Sequence, residues 1–277
     1  MRSLLVVALL ASPAVADRCK TLPPDRADET IPTPVAMCGV ANAKHVKAGF
    51  VYTLVELADG STRRYGGEGW SDNGRVLDKD DLVPYQRPPE GRPTIPGATQ
   101  IAGDGVDGCA IAKGGQLWCW GDLAEDSGDV LRPKAKLIAK LANVVDVSAS
   151  HHVACVALRD GTARCWGESF DGEKAIDPPR SVPGTDLVAI GASSSSEFQC
   201  ALRRSGQVLC RGDNAHGELG DGTHTSHKDW RPVVGVTDAT QLSVGEGHAC
   251  VLTKTHTVMC WGDNPFGEIG LPRRHFE

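Results

Sequence analysis

Cysteine and histidine are the side chains here best suited to chemistry, and ten cysteines at regular spacing raise the first question. Structural zinc sites draw thiolates from closely spaced pairs, and no C-x-x-C occurs anywhere. Instead Cys109 and Cys119, Cys155 and Cys165, Cys200 and Cys210, and Cys250 and Cys260 each stand ten positions apart, leaving Cys19 and Cys38 over. An even count at such spacing reads as a disulfide framework. The histidines divide in two. His151, His152 and His248 each precede an apolar run, where a loop imidazole bonded to nearby backbone is expected. His216, His224 and His227 lie together in "DNAHGELGDGTHTSHKDW"; histidine ligates metals, yet a solvated loop accounts for three of them equally well, and no metal ligand is assigned. G-x-S-x-G, H-E-x-x-H and G-x-x-x-x-G-K-[ST] are all absent. The serine run Ser193 to Ser196 has no neighbouring histidine and reads as a polar loop. Asp104-Gly105 and Asp221-Gly222 are turn formers, and the ligand order of a calcium loop is missing. Neither catalytic residues nor a bound cofactor are expected.

The elements that must hold the cysteines follow from the residues between them. The units "CAIAKGGQLWCWGD", "CVALRDGTARCWGE", "CALRRSGQVLCRGD" and "CVLTKTHTVMCWGD" begin at Cys109, Cys155, Cys200 and Cys250, separated by 46, 45 and 50 residues. That period belongs to propeller blades or solenoid units. Each unit is an apolar run, a turn and a second short run, a β-hairpin. Its midpoint falls on Gly114, Asp160, Ser205 or Thr255, so a three-residue loop is expected, with its last residue left-handed. Gly115, Gly161 and Gly206 occupy that place without a Cβ penalty; His256 does so at the cost of strain. The two cysteines then face each other at Cα separations of about 4.5 to 5.5 Å, within reach of a disulfide. Each staple closes a loop worth roughly 2 to 3 kcal/mol in the chain-entropy model.

Upstream, "LVELADGSTRRYGG" fits the same frame with Leu54 and Arg64 in the cysteine places and Tyr65 in the tryptophan place, a fifth unit without a staple. "VVDVSAS" from Val144 and "TQLSVGEG" from Thr240 supply inner strands. Lys134 to Leu141 reads as a helix or an outer strand. Trp120, Trp166 and Trp261 follow the second cysteine and are expected to pack in the core; Arg211 breaks that series without an evident reason.

The first residues, "MRSLLVVALLASPAVA", read as a secretory signal peptide, 1–16, cut after Ala16. Its apolar run is shorter than the roughly 20 residues a membrane span needs, and no later segment approaches that length. Charges in "ADR" before Cys19 argue against lipidation there. Losing Arg2 with the leader changes 29 basic against 35 acidic residues into 28 against 35, a balance of −7 instead of −6. An acidic chain without a basic stripe argues against nucleic acid or anionic lipid as partner. A secreted, periplasmic or cell-surface monomer is expected.

Two stretches carry a family likeness. "SVGEGHACVLTKTHTVMCWGDNPFGEIG", Ser243 to Gly270, and "CALRRSGQVLCRGDNAHGELGDG", Cys200 to Gly222, resemble the regulator of chromosome condensation repeat in the cysteine-stapled form of exported bacterial proteins. The marks are Gly-x-His before the first strand, Trp-Gly-x-Asn after the second, and Gly-Glu-Leu/Ile-Gly closing the unit. The resemblance implies an all-β propeller of four-stranded blades, about five at this chain's period. It divides the chain into the leader, an N-terminal segment 17–45 and propeller repeats over 46–277. The last unit stops at "GEIGLPRRHFE" without an outer strand like "WRPVVGV" at Trp230, and "IPTPVAM", Ile31 to Met37, is expected to complete that blade and remove its open edge. Cys19 and Cys38 would then pair and pin the segment.

The expected function is a non-catalytic recognition scaffold binding a protein or envelope polymer through loops on one face, with His216, His224, His227 and Trp230 in the 214–231 loop as contacts. Part of the family acts on small GTPases as a nucleotide exchanger, which export argues against; an exported bacterial relative inhibits β-lactamase, and none of its contact residues can be carried over. The rival class is a hydrolase or lyase acting on envelope polymer, built from acids and histidines converging at the ring's mouth. A structural envelope protein is a third.

Overall fold

This computed structural model describes residues 30–37, 39–49, 52–66, 75–77, 95–103, 107–124, 134–150, 153–167, 180–182, 184–193 and 198–271. The expected leader, Cys19, Cys38, His151, His152, Ser194 to Ser196 and both chain ends lie outside them. Strand β1 (Ile31–Ala36) precedes five blades. The first is β2 (Ala43–Ala48), β3 (Tyr52–Leu57), β4 (Thr62–Gly66) and β5 (Arg75–Leu77); the second is β6 (Gln100–Gly103), β7 (Gly108–Ala112), β8 (Gln116–Trp120) and β9 (Lys136–Leu137). The third is β10 (Val144–Ser150), β11 (Val153–Leu158), β12 (Ala163–Gly167) and β13 (Arg180–Val182), and the fourth β14 (Leu187–Ala192), β15 (Phe198–Arg203), β16 (Val208–Gly212) and β17 (His227–Pro232). The fifth holds β18 (Ala239–Val244), β19 (His248–Thr253) and β20 (Val258–Gly262), with β1 as its outer strand. Every pairing is antiparallel and the five sheets form a five-bladed propeller. No helix among the described residues is long and apolar enough to cross a membrane.

Lys134 to Leu141 contributes the short outer strand β9. The outer strand of the fourth blade starts earlier than "WRPVVGV" suggests, so His227 and Trp230 stand on β17. Strand β1 pairs with β20 through Ile31↔Gly262, Val35↔Cys260 and Ala36↔Met259, with an irregularity spanning Pro32 and Pro34. Proline lacks the ladder donor and is tolerated at such an edge.

The hairpin loops are the three-residue kind. In the third blade Leu158 N–H donates to Thr162 O at 2.8 Å and Gly161 N–H to Leu158 O at 2.9 Å. Gly115, Gly161, Gly206 and His256 all have positive φ, 75°, 85°, 95° and 60°. His256 is held in place from outside: its Nδ1 lies 3.0 Å from Ala43 O, and its own carbonyl accepts the Ala43 N–H at 3.1 Å. Each cysteine pair occupies one cross-strand register position and is bonded, with Cα atoms 4.0 to 4.1 Å apart. That is shorter than expected. Counting outward from the hydrogen-bonded Leu158/Thr162 pair, the cysteines fall on a non-hydrogen-bonded pair, where strands approach most closely.

Which way the staples face decides how the ring holds. Thr53, next to the Leu54 position, bonds back to His248 of the fifth blade, and Gln199, next to Cys200, lies 3.8 Å from Cys155 Sγ of the third. Residues preceding the first cysteine position therefore face the previous blade, and the staple faces the next. The four buried clusters sit at the four joints this creates. Cys109 and Cys119 pack with Ala154, Val156 and Trp166; Cys155 and Cys165 with Ile190 and Ala201; Cys200 and Cys210 with Ala249, Val251 and Trp261; Cys250 and Cys260 with Val46, Val55 and Tyr65. Among the described residues, none of these clusters sits at the joint that follows the unstapled first blade.

Candidate functional site

The 213–231 segment is built by two residues of the family marks. Asn214 is buried; its Oδ1 accepts the Leu219 N–H at 2.9 Å, and its Nδ2 donates to Thr223 O and Thr225 O at 3.0 and 3.1 Å. Glu218 Oε2 accepts the His216 N–H at 2.8 Å. The same turn recurs one blade later, where Asn264 Oδ1 accepts the Ile269 N–H at 3.1 Å and Glu268 Oε2 the Phe266 N–H at 2.8 Å. Burial pushes the Glu218 carboxyl up, while the Ser226 hydroxyl bonded to Asp213 at 2.6 Å holds Asp213 down.

The three histidines of this segment do not converge. His216 Nδ1 is 3.9 Å from Asp263 of the next blade, whose carboxyl burial pushes up; His227 Nε2 is 3.5 Å from Asp221; His224 Nδ1 is 3.3 Å from Ala215 O and 3.4 Å from Thr30 Oγ1. His216 and His224 are exposed, and His227 is half-buried on β17. Among the described residues no group of three or more His, Cys, Asp or Glu is placed to hold a metal ion. The segment also braces the closing strand, since Gly222 N–H donates to Pro32 O at 2.8 Å and the backbone of Gly217 lies against Pro32.

Arg211 acquires its explanation here. It fills the tryptophan place of the fourth blade, its guanidinium stands 5.2 Å from the centre of the Trp230 ring, and its Nε donates to Gln199 Oε1 at 3.0 Å. Such a cation over an aromatic face fixes both side chains on the surface. The true tryptophans do more than fill core: Trp261 Nε1 donates to Glu218 O at 2.8 Å and Trp166 Nε1 to Leu123 O at 3.2 Å, each reaching the preceding blade. His248 likewise departs from the loop-to-backbone expectation. It opens strand β19, is fully buried, and bonds through Nε2 to Thr53 Oγ1 at 2.9 Å, with desolvation lowering its pKa to about 4. Ser193, the described member of the serine run, is buried and donates to Glu246 O of the next blade.

The inner strands enclose a central cavity of about 880 Å³. One register position repeats around it as His45, Gln100, Asp146, Ala189 and Gln241. At three joints this side chain clamps the next blade: Gln100 Nε2 donates to Val147 O at 3.2 Å, Asp146 Oδ2 accepts the Ile190 N–H at 3.2 Å, and Gln241 Oε1 accepts the Val46 N–H at 3.3 Å. Burial pushes the Asp146 carboxyl up against the pull of Gln100, which donates to it at 2.9 Å. Ala189 has nothing to clamp with, and His45 Nδ1 is engaged by Gln241 Nε2 at 2.8 Å. The clamps were invisible in the sequence because each joins residues 44, 47 or 195 places apart and the clamping side chains differ in type.

Residues 239–268 match the regulator of chromosome condensation (RCC1) repeat. The structure is similar to that of Prp20p from Saccharomyces cerevisiae, with a TM-score of 0.52 at 14% identity over 83% of this chain and 60% of that one. It is similar to human WBSCR16 at 0.48 and 17%, over 80% and 58%, and to yeast RCC1 (Prp20) in its complex with Kap60 at 0.46 and 21%, over 60% and 44%. The chain thus spans less than two thirds of the length of each of these relatives. Residues 239–268 thus carry a regulator of chromosome condensation (RCC1) repeat, in a chain that folds as a propeller.

Proposed function

We propose that this protein is an exported, non-catalytic recognition scaffold that binds a protein or an envelope polymer through one face of its ring, with His216, His224, His227 and Trp230 as contacts. The observation that carries the reading is the 213–231 segment: exposed imidazoles and an Arg211–Trp230 stack, displayed on a turn that Asn214 and Glu218 hold rigid. Aromatic and arginine side chains are the residue types that most often anchor interfaces, and a fixed frame lowers the entropy cost of binding. Four intrachain disulfides suit a non-reducing setting, which agrees with cleavage of a leader after Ala16 and residence outside the cytoplasm as a monomer. The yeast relative's structure was described together with its binding to Gsp1p and histones, a protein-binding use of the same fold. The acidic balance of −6 disfavours nucleic acid here.

The test is capture from the envelope fraction of the source cells on the oxidised chain, side by side with a Trp230→Ala, His216→Ala variant. A component retained by the parent and lost about tenfold by the variant supports this face. Retention equal on both, or turnover of an envelope polymer by the parent alone, would remove the reading.

A further inference from the structure

The row of clamp positions lacks a polar side chain on one blade, the fourth, where it holds Ala189. Cys250 and Cys260 form a non-hydrogen-bonded pair, so both backbone groups of Cys250 turn to Ser243, and the N–H of Leu242 on β18 turns away from β19 toward the ring axis. The equivalent edges of other blades are met by a side chain of the preceding blade: Gln100 donates to Val147 O, Asp146 accepts the Ile190 N–H and Gln241 accepts the Val46 N–H. Ala189 is the residue that would serve Leu242, and its methyl group brings neither donor nor acceptor. The residue one step before each clamp position also varies around the ring, as Lys44, Thr99, Val145, Val188 and Thr240. Lys44 is paired with Glu56 at 3.3 Å, and the Thr99 and Thr240 hydroxyls donate to Ile111 O and Leu252 O at 3.2 and 3.0 Å. Val145, 41% exposed, and half-buried Val188 are apolar instead. They stand on the two blades that lead to Leu242, and all three line the central cavity.

We infer that the cavity wall around Ala189 is a binding site for a small neutral carboxamide with a short branched apolar body. The head group follows from the strand edge that it meets. Gln241 shows the fit within this ring, since its Oε1 accepts the Val46 N–H and its Nε2 donates to Lys44 O, both at 3.3 Å. The equivalent pair on β18 is the Leu242 N–H and the Thr240 carbonyl. A free carboxamide carries the same acceptor and donor in one plane. A carboxylate accepts but does not donate, and it would stand beside the Asp146 carboxyl, whose Oδ2 is 3.2 Å from the N–H of Ile190, the residue after Ala189. The net charge of −6 disfavours an anion further. The apolar body follows from Val145 and Val188, which present hydrocarbon to the cavity where the other blades hold a paired lysine or bonded threonines. A volume of about 880 Å³ is that of a small-molecule site, and such sites combine apolar walls with a few fixed polar groups. The 213–231 segment does not line this cavity, so the two sites fail independently.

The experiment uses the full oxidised chain, titrated with isovaleramide and with its near-isostere isovalerate and read by ligand-observed saturation-transfer NMR. The amide is expected to bind about tenfold or more tighter than the carboxylate. Ala189→Gln recreates on the fourth blade the clamp that Gln241 makes on the fifth. It should weaken amide binding about tenfold or more while leaving the melting temperature no lower than the parent's. Val145→Ser, at an exposed position, should weaken binding about fivefold by removing the apolar contact. This second variant decides the matter if Ala189→Gln fails to fold by near-ultraviolet circular dichroism. Trp230→Ala should leave amide binding unchanged. No binding of the amide, equal binding of the carboxylate, or parental affinity in either folded cavity variant overturns the proposal. Weakening of amide binding by Trp230→Ala overturns it as well.

Discussion

Trp261 carries a bond that its neighbours in the core do not. Its indole N–H reaches Glu218 O in the preceding blade at 2.8 Å from a fully buried position. Trp261→Phe keeps most of the apolar volume and orphans that carbonyl, so a loss of about 1 to 3 kcal/mol is expected in urea unfolding. His248 makes the matching case for charge. Its pKa of about 4 against 6.5 means that the unfolded chain binds the proton more readily than the folded one. The stability this group contributes is present above pH 6.5 and is lost as pH falls toward 4, roughly 3 kcal/mol in all. Asp146, pushed up by burial, slopes the opposite way, so the measurement is the difference in melting temperature between parent and His248→Gln across pH 4 to 7; that difference should grow in the variant's favour as pH falls. At this scale the sequence spoke unevenly. The tryptophans announced burial, but not their bonds across joints, because those partners lie 43 residues away. Arg211 was unreadable for the same reason, its Trp230 stack depending on how β17 folds back.

The hairpins were the most legible elements, since a spacing of ten residues and a glycine at the last loop position leave one register. Gly161 shows how tightly: a Cβ there would sit 2.0 Å from Thr185 O, on a φ of 85°. Gly161→Ala is expected to destabilise by more than about 1 kcal/mol, measured by thermal unfolding. Replacing both Cys155 and Cys165 by Ala should remove roughly 2 to 3 kcal/mol through the unfolded chain, and further stability through the joint that they fill with Ile190 and Ala201. Strand β1 was legible from the missing outer strand of the last unit. Its deletion should expose the β20 edge and drive association, seen as a concentration-dependent sedimentation coefficient. The direction in which the staples face could not be read, because it is a property of one blade against the next.

Around the ring, each stapled blade packs its cystine into the joint that follows it, and the first blade brings Leu54 and Arg64 to the equivalent register position. The period of the repeat gave the blade number; the inequality of the joints emerged only in three dimensions, from the clamp positions and from Ile101. The most direct test is amide hydrogen exchange of the oxidised chain, read by mass spectrometry at peptide resolution. Slow exchange is expected in β10, β14 and β18, which lie between stapled joints, with β6, where Ile101 is 42% exposed, exchanging fastest among the inner strands. Equal protection of β6 and β10 would contradict a ring whose stapled joints are its most stable ones.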